Sequence, residues 1–153
     1  MSTTTKHLRA LPFWEHLNNA EKDMLRNNAY IRTFDRDSYI LHSMAGEDIG
    51  LMVLVEGRIR AYLLSPDGRE ITLFSLHDQS ICIFSALSLF NQISFQVFLT
   101  SDCRSRVLVV NMSIMEQLMR NNLYFRCFAY KLIAERFNLV MDSVQWILFH
   151  GLE

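Results

Sequence analysis

Apolar and polar positions change period twice along this chain, and the changes of period mark its elements. Residues 16–28 read as a short helix. Asn18 is placed to cap it, Glu21 follows three positions later, and Leu17, Met24 and Leu25 supply an apolar side. From Tyr30 to Val110 the signals are those of strands and turns. Tyr30–Phe34 alternates, Leu51–Val55 is a short apolar run closed by Glu56-Gly57, and Arg58–Leu63 alternates charged and apolar side chains as a half-buried strand does. Pro66-Asp67-Gly68 is the strongest turn signal: proline presets φ, aspartate bonds its own backbone, and glycine accepts positive φ. Arg69–Leu76 returns as the partner strand, and further strands are expected near 81–84, 94–100 and 104–110. Many short strands at close spacing predict a barrel or a sandwich.

Beyond Val110 the period becomes helical. Ser113-Ile114-Met115-Glu116 reads as a capping box opening a short helix to about Arg120, and Asn121-Asn122 breaks it. Residues 124–149 contain neither glycine nor proline, which allows about 26 helical residues, or about 39 Å. Within this helix Tyr130, Ile133, Phe137, Val140, Val144 and Ile147 are spaced 3, 4, 3, 4 and 3, a heptad pattern. Phe125, Phe128, Leu132, Leu139 and Trp146 lie beside or off that line. Such a helix carries more apolar surface than one partner can cover. One stripe is expected to pack on the chain's own strands and the other to meet a second copy, giving a parallel homodimer. Burial on all sides within a monomer is the alternative.

Composition narrows the function. The chain has 153 residues, half of them apolar and a fifth charged, as expected of one globular domain. Lys and Arg number 15 against 16 Asp and Glu, a formal net charge of −1. That balance argues against direct nucleic-acid binding by these residues, since phosphate recognition needs basic excess. No apolar run reaches the roughly 20 residues of a membrane span, and the polar start, Met1–Lys6, has no signal-peptide character. Cys82, Cys103 and Cys127 are far apart and odd in number, which suits a reducing cytoplasm rather than a disulfide framework.

The segment Leu54-Val55-Glu56-Gly57-Arg58-Ile59-Arg60-Ala61-Tyr62-Leu63-Leu64-Ser65-Pro66-Asp67-Gly68-Arg69-Glu70-Ile71-Thr72-Leu73, preceded by Gly46-Glu47, resembles the Crp/Fnr family, that of the cyclic-AMP receptor protein and its relatives. The likeness runs from about Leu11 to Phe149. It implies an α+β, mainly β, fold: a double-stranded β-roll (jelly roll) of the cyclic-nucleotide-binding type, with short flanking helices and a long C-terminal dimerisation helix. It divides the chain into an effector-sensing roll at 1–123 and a dimerisation helix at 124–153. It further implies a bacterial transcription regulator that binds an effector, dimerises, and reads DNA through a helix-turn-helix domain. That domain would begin where this chain stops, at Glu153, so DNA is expected to be a partner only through a domain absent from this chain.

The resemblance breaks at the nucleotide site. The family's cyclic-nucleotide binders carry a Gly-Glu-Leu segment whose Glu takes the ribose hydroxyl, and an Arg about nine residues on that takes the cyclic phosphate. Ser85-Ala86-Leu87 and Ser94-Phe95 stand there in this chain. With carboxylate and guanidinium both gone, a buried phosphate has lost its main stabilisation, and a cyclic nucleotide is not the expected effector. The segment 80–96 instead sets Cys82, Ser85, Ser88, Gln92, Ser94 and Gln96 among Ile81, Phe84, Leu87, Phe90 and Phe95. Apolar walls with a few neutral polar groups suit a small, largely uncharged organic effector. The candidate pocket is therefore Cys82, Phe84, Ser85, Leu87, Ser88, Ser94 and Gln96, with Arg60 as a group able to reach an acidic effector. A filled roll, with a purely structural dimerisation module, is the plainer reading of the same residues.

No cofactor is expected. The resemblance keeps one alternative open, because Cys82 falls where the family's carbon-monoxide-sensing haem regulator has its thiolate ligand. His77 is the nearest histidine, and thiolate with imidazole would make a workable haem pair. A buried free cysteine is more commonly a small core residue. The five histidines, His7, His16, His42, His77 and His150, show no metal-ligand spacing. No nucleophile with an activating base and no glycine-rich phosphate loop is present, so the chain is not read as an enzyme.

Overall fold

A computed structural model describes residues 3–40, 49–83 and 97–151. The chain opens with helix α1 (Thr3–Arg9) and a single 3-10 turn at Trp14–His16, followed by α2 (Asn19–Asn28). Helix α1 is a two-turn element without acidic residues in its first turn, and its only buried side chain is Leu8, so no apolar period announced it. The expected helix at 16–28 starts three residues later, because Leu17 is extended (φ −91°, ψ 144°) and interrupts the helical path. Its cap is as the spacing predicts. Asn18 Oδ1 accepts from Glu21 N at 2.8 Å, and Asn18 N donates back to Glu21 Oε1 at 2.9 Å.

Seven strands follow among the described residues: β1 (Tyr30–Phe34), β2 (Ile49–Glu56), β3 (Ile59–Leu64), β4 (Glu70–Leu76), β5 (Ile81–Ile83), β6 (Val97–Ser101) and β7 (Ser105–Asn111). They form two antiparallel sheets, of order β1-β7-β2-β5 and β4-β3-β6. Strand β2 reads as a continuous apolar run because both its faces are buried. Leu51, Val53 and Val55 face the helices, while Met52 and Leu54 face the other sheet. Strand β7 divides in the same way, with Leu108 and Val110 on the helix side and Val107 and Val109 between the sheets. The roll interior is closed by Phe34, Ile59, Ala61, Leu73, Phe74, Leu76 and Leu99.

Two glycines are required by their surroundings. Gly57, at the β2–β3 turn, has φ +118°, and a Cβ there would lie 2.7 Å from Ser105 Cα. Gly50 lets the start of the following helix press on β2; its Cβ would lie 2.7 Å from Met112 Cα. The Pro66-Asp67-Gly68 hairpin forms as expected, with Gly68 at φ +86° and Ser65 N donating to Arg69 O at 2.8 Å.

Helix α3 (Met112–Asn121) is capped by Asn111, whose Oδ1 accepts from Ile114 N at 3.0 Å. The expected capping box at Ser113 is therefore displaced: Asn111 ends β7 in an extended conformation and reaches the free N–H first, leaving Ser113 inside the first turn. Asn122 then ends α3 and caps the long helix α4 (Leu123–His150), accepting from Phe125 N at 2.8 Å. Its amide also donates to His16 O at 2.9 Å and to Glu21 Oε1 at 3.0 Å, so one buried asparagine ties the base of α4 to the cap of α2. Phe125, fully buried and edge-on to Phe13 at 4.8 Å, completes that anchor. Helix α4 has 28 residues, a length of about 42 Å.

Candidate effector site

From its anchored base α4 runs across the open side of the roll and touches β4 and β5 on the way. Arg136 Nη2 donates to Ile81 O at 3.0 Å, and its guanidinium carbon lies 5.3 Å from the centre of the Phe74 ring. Val140, one turn on, packs against the apolar cluster between the sheets. Ser143 Oγ donates to Leu73 O at 3.0 Å. Ile147, Trp146 and Ser143 then border a half-open cleft of about 270 Å³, whose other wall is Glu70, Ile71 and Thr72 of β4, with Gly151 at its end. The side of α4 facing the roll thus combines apolar contacts with two side-chain bonds to main-chain carbonyls.

Cys82 sits inside the roll at the same place. It is buried in the cluster between the sheets and pairs in register with Met52. Burial pushes its thiol up to about 11, against the pull of the Arg136 charge in the other direction. At neutral pH it is a neutral, compact core group. His77 stands apart from it, exposed on the turn before β5, where its backbone N–H donates to Ser80 Oγ at 3.1 Å. A protonated interior thiol and a solvent-facing imidazole do not make the converging pair that a haem iron needs, and these two residues do not fit that group.

Arg60 is also placed away from the interior. Ile59 and Ala61 point into the roll, so the alternation of β3 sets Arg60 on the outer face. There it pairs with Glu70 at 2.6 Å and Asp102 at 3.8 Å, donates to Thr72 Oγ1 at 3.2 Å, and lies over the Tyr62 ring at 4.5 Å. A guanidinium held by two carboxylates is not available to an effector inside the roll, and this corrects the expectation from sequence. Of the remaining candidates, Phe84, Ser85, Leu87, Ser88, Ser94 and Gln96 lie outside the described residues, as do Ala86, Phe90, Gln92 and Phe95.

The seam divides on the structure. Tyr130, Phe137 and Val144 are exposed, at 59, 57 and 38%. Ile133, Val140 and Ile147 are half-buried, with Val140 against the interior cluster and Ile147 at the cleft. The exposed line runs through Tyr130, Ala134, Phe137, Met141, Val144 and Leu148, spaced 4, 3, 4, 3 and 4. Both lines obey a heptad rule, and they share Tyr130, Phe137 and Val144. Arg136 was passed over in the sequence. Its signal was a charge inside the roll-facing series Phe125, Ala129, Leu132, Arg136, Val140, Ser143 and Ile147.

Sequence and fold comparisons agree with this architecture. Residues 31–122, more than half of the chain, match the cyclic nucleotide-binding domain family, and the chain belongs to that family. Its solved structural neighbours include Crp/Fnr-type regulators and regulatory subunits of protein kinase A. A protein from Eubacterium rectale described as a transcriptional regulator of the Crp/Fnr family shares 27% identity at a TM-score of 0.81, over 94% of this chain and 66% of its own. The haem domain of CooA from Rhodospirillum rubrum shares 17% identity at a TM-score of 0.64, over 89 and 95% of the two chains. The sensor domain of the regulator DNR from Pseudomonas aeruginosa shares 16% at 0.66, over 93 and 95%. The chain thus spans 66% of the length of its Eubacterium rectale neighbour. No curated protein matches the sequence. Among the described residues no helix is long and apolar enough to cross a membrane, and no group of three or more His, Cys, Asp or Glu could hold a metal ion.

Proposed function

We propose that this chain is the sensing and dimerisation part of a Crp/Fnr-type transcription regulator, with an effector other than a cyclic nucleotide and no resident haem. The observation that carries this reading is the two-sided character of α4. One side is bonded to the roll through Arg136 and Ser143, and the other exposes Tyr130, Phe137, Met141 and Leu148. A helix with an apolar stripe of this length in water is stabilised by a second copy of itself, and heptad spacing favours a parallel pair about a two-fold axis. An occupant at the roll rim would touch α4 directly, so its binding would shift the same helix that sets the geometry of the pair. DNA would be read by another part of the protein, as the net charge of −1 does not favour it here.

Two measurements test the reading. Sedimentation equilibrium at tens of micromolar should give twice the chain mass, and a monomer there would refute the seam. A thermal-shift screen with small metabolites should find compounds that raise the melting temperature, since only a native-state ligand does so. Cyclic AMP should give no shift at micromolar concentration. A micromolar constant by calorimetry would overturn the assignment of Ala86 and Ser94 to the two key positions.

A further inference from the structure

Arg136 has a buried Nε that no group among the described residues accepts from. One amino group of its guanidinium is bonded to Ile81 O, and its plane rests near Phe74, yet no carboxylate pairs with it among the described residues. Arg60, by contrast, is held by two acids on the outer face. An unpaired, partly buried cation with an unsatisfied N–H is costly, and a buried donor is nearly always matched by something. Its position narrows what that something is. Arg136 stands on the roll-facing side of α4, one turn before Val140, with the interior residues Phe74 and Cys82 as neighbours.

We propose that Arg136 is the anion anchor of the effector site and that the effector is a small organic carboxylate with an apolar body. This rests on the sensing function proposed above and replaces the expectation of a largely uncharged effector. The carboxylate accepts from the unsatisfied Nε of the guanidinium, a charge-assisted contact, while the apolar body lies against the Phe74 side of the roll rim. One guanidinium balances one carboxylate. A phosphate dianion would leave a second charge without a partner in an apolar setting. Because Arg136 belongs to α4, the ligand's charge would act directly on the helix that carries the exposed seam.

The test compares matched acids and amides on the full chain: benzoate with benzamide, phenylacetate with phenylacetamide, and hexanoate with hexanamide. Thermal shift and calorimetry should show at least one acid bound about tenfold or more tightly than its amide, the scale of a charge-assisted hydrogen bond. Arg136→Gln keeps a donor for Ile81 O and should lose that preference, whereas Arg136→Lys should retain part of it. Acid and amide binding alike, or Arg136→Gln binding the acid as well as the parent, would overturn the anchor while leaving an effector site in place. If every acid and amide and a wider panel of neutral metabolites all fail to bind, the anchor and the sensing function fall together. The acid–amide comparison on the parent decides the matter even if Arg136→Gln does not fold.

Discussion

Helix α4 meets its own roll through Arg136, Val140, Ser143 and Ile147, and turns Tyr130, Phe137, Met141 and Leu148 towards solvent. On the inner side, apolar contacts are combined with directional bonds to Ile81 O and Leu73 O, which hold the helix in one rotation and one height on the roll. On the outer side there are large apolar groups and no such bonds, so burial there is non-directional and tolerant of sliding. The difference assigns different work to the two sides. On the proposed function, the inner one would report what occupies the roll rim, and the outer one would supply association energy between two copies and could settle in more than one register.

The comparison can be broken in four places. The largest effect is expected at the shared base. Phe125→Ala removes a fully buried ring from its edge contact with Phe13 and should cost roughly 3–5 kcal/mol of folding stability, read as a lower denaturant midpoint. Phe137→Asp tests the outer side alone. It places two carboxylates against each other across the proposed axis, at a cost of several kcal/mol in association, and should yield a folded monomer by sedimentation. An unchanged dimer would show that the seam lies elsewhere. Val140→Asp is a poorer test of the dimer, because Val140 leans on the roll.

Cys82 probes the interior behind the helix. Its thiol is raised from 9.0 to about 11, so the folded chain keeps a proton that the unfolded chain releases. Its contribution is fully present below pH 9 and is lost as pH rises towards about 11. Stability should fall across that window in the parent and fall less in Cys82→Ala, measured by urea unfolding at each pH. Below pH 9 a thiol reagent should modify the exposed Cys103 and Cys127 and leave Cys82 intact in the native protein. The smallest effect is expected from Ser143→Ala, which deletes the bond to Leu73 O and should cost about 1 kcal/mol without changing the oligomeric state. Loss of the dimer in Ser143→Ala would show that the two sides of α4 are not separable.

Strands were legible wherever one face was polar or a turn was marked. The Arg58–Leu63 alternation and the Pro66-Asp67-Gly68 hairpin emerge with little change, and the long helix with one residue added at each end. Caps were less so. Asn18 with Glu21 was readable because nothing competes for those N–H groups, whereas Asn111 displaced Ser113 by arriving from a strand end. The site was read least well. Arg60 and Arg136 both stand in apolar-periodic segments of the sequence, and only the facing of β3 and of α4 separates an outer ion pair from an inner cation.

What the sequence determined by itself is most of the elements after α1, and the family: local period, turn chemistry and the 54–73 segment are properties of neighbours in the chain. What tertiary structure decided is which of two overlapping heptad lines on α4 is free. Tyr130, Phe137 and Val144 belong to both, and spacing cannot choose between Ile133, Val140 and Ile147 on one flank and Ala134, Met141 and Leu148 on the other. The choice is a rotation of the helix about its own axis. Contacts distant in sequence set it: Asn122 with Glu21, Arg136 with Ile81, and Ser143 with Leu73.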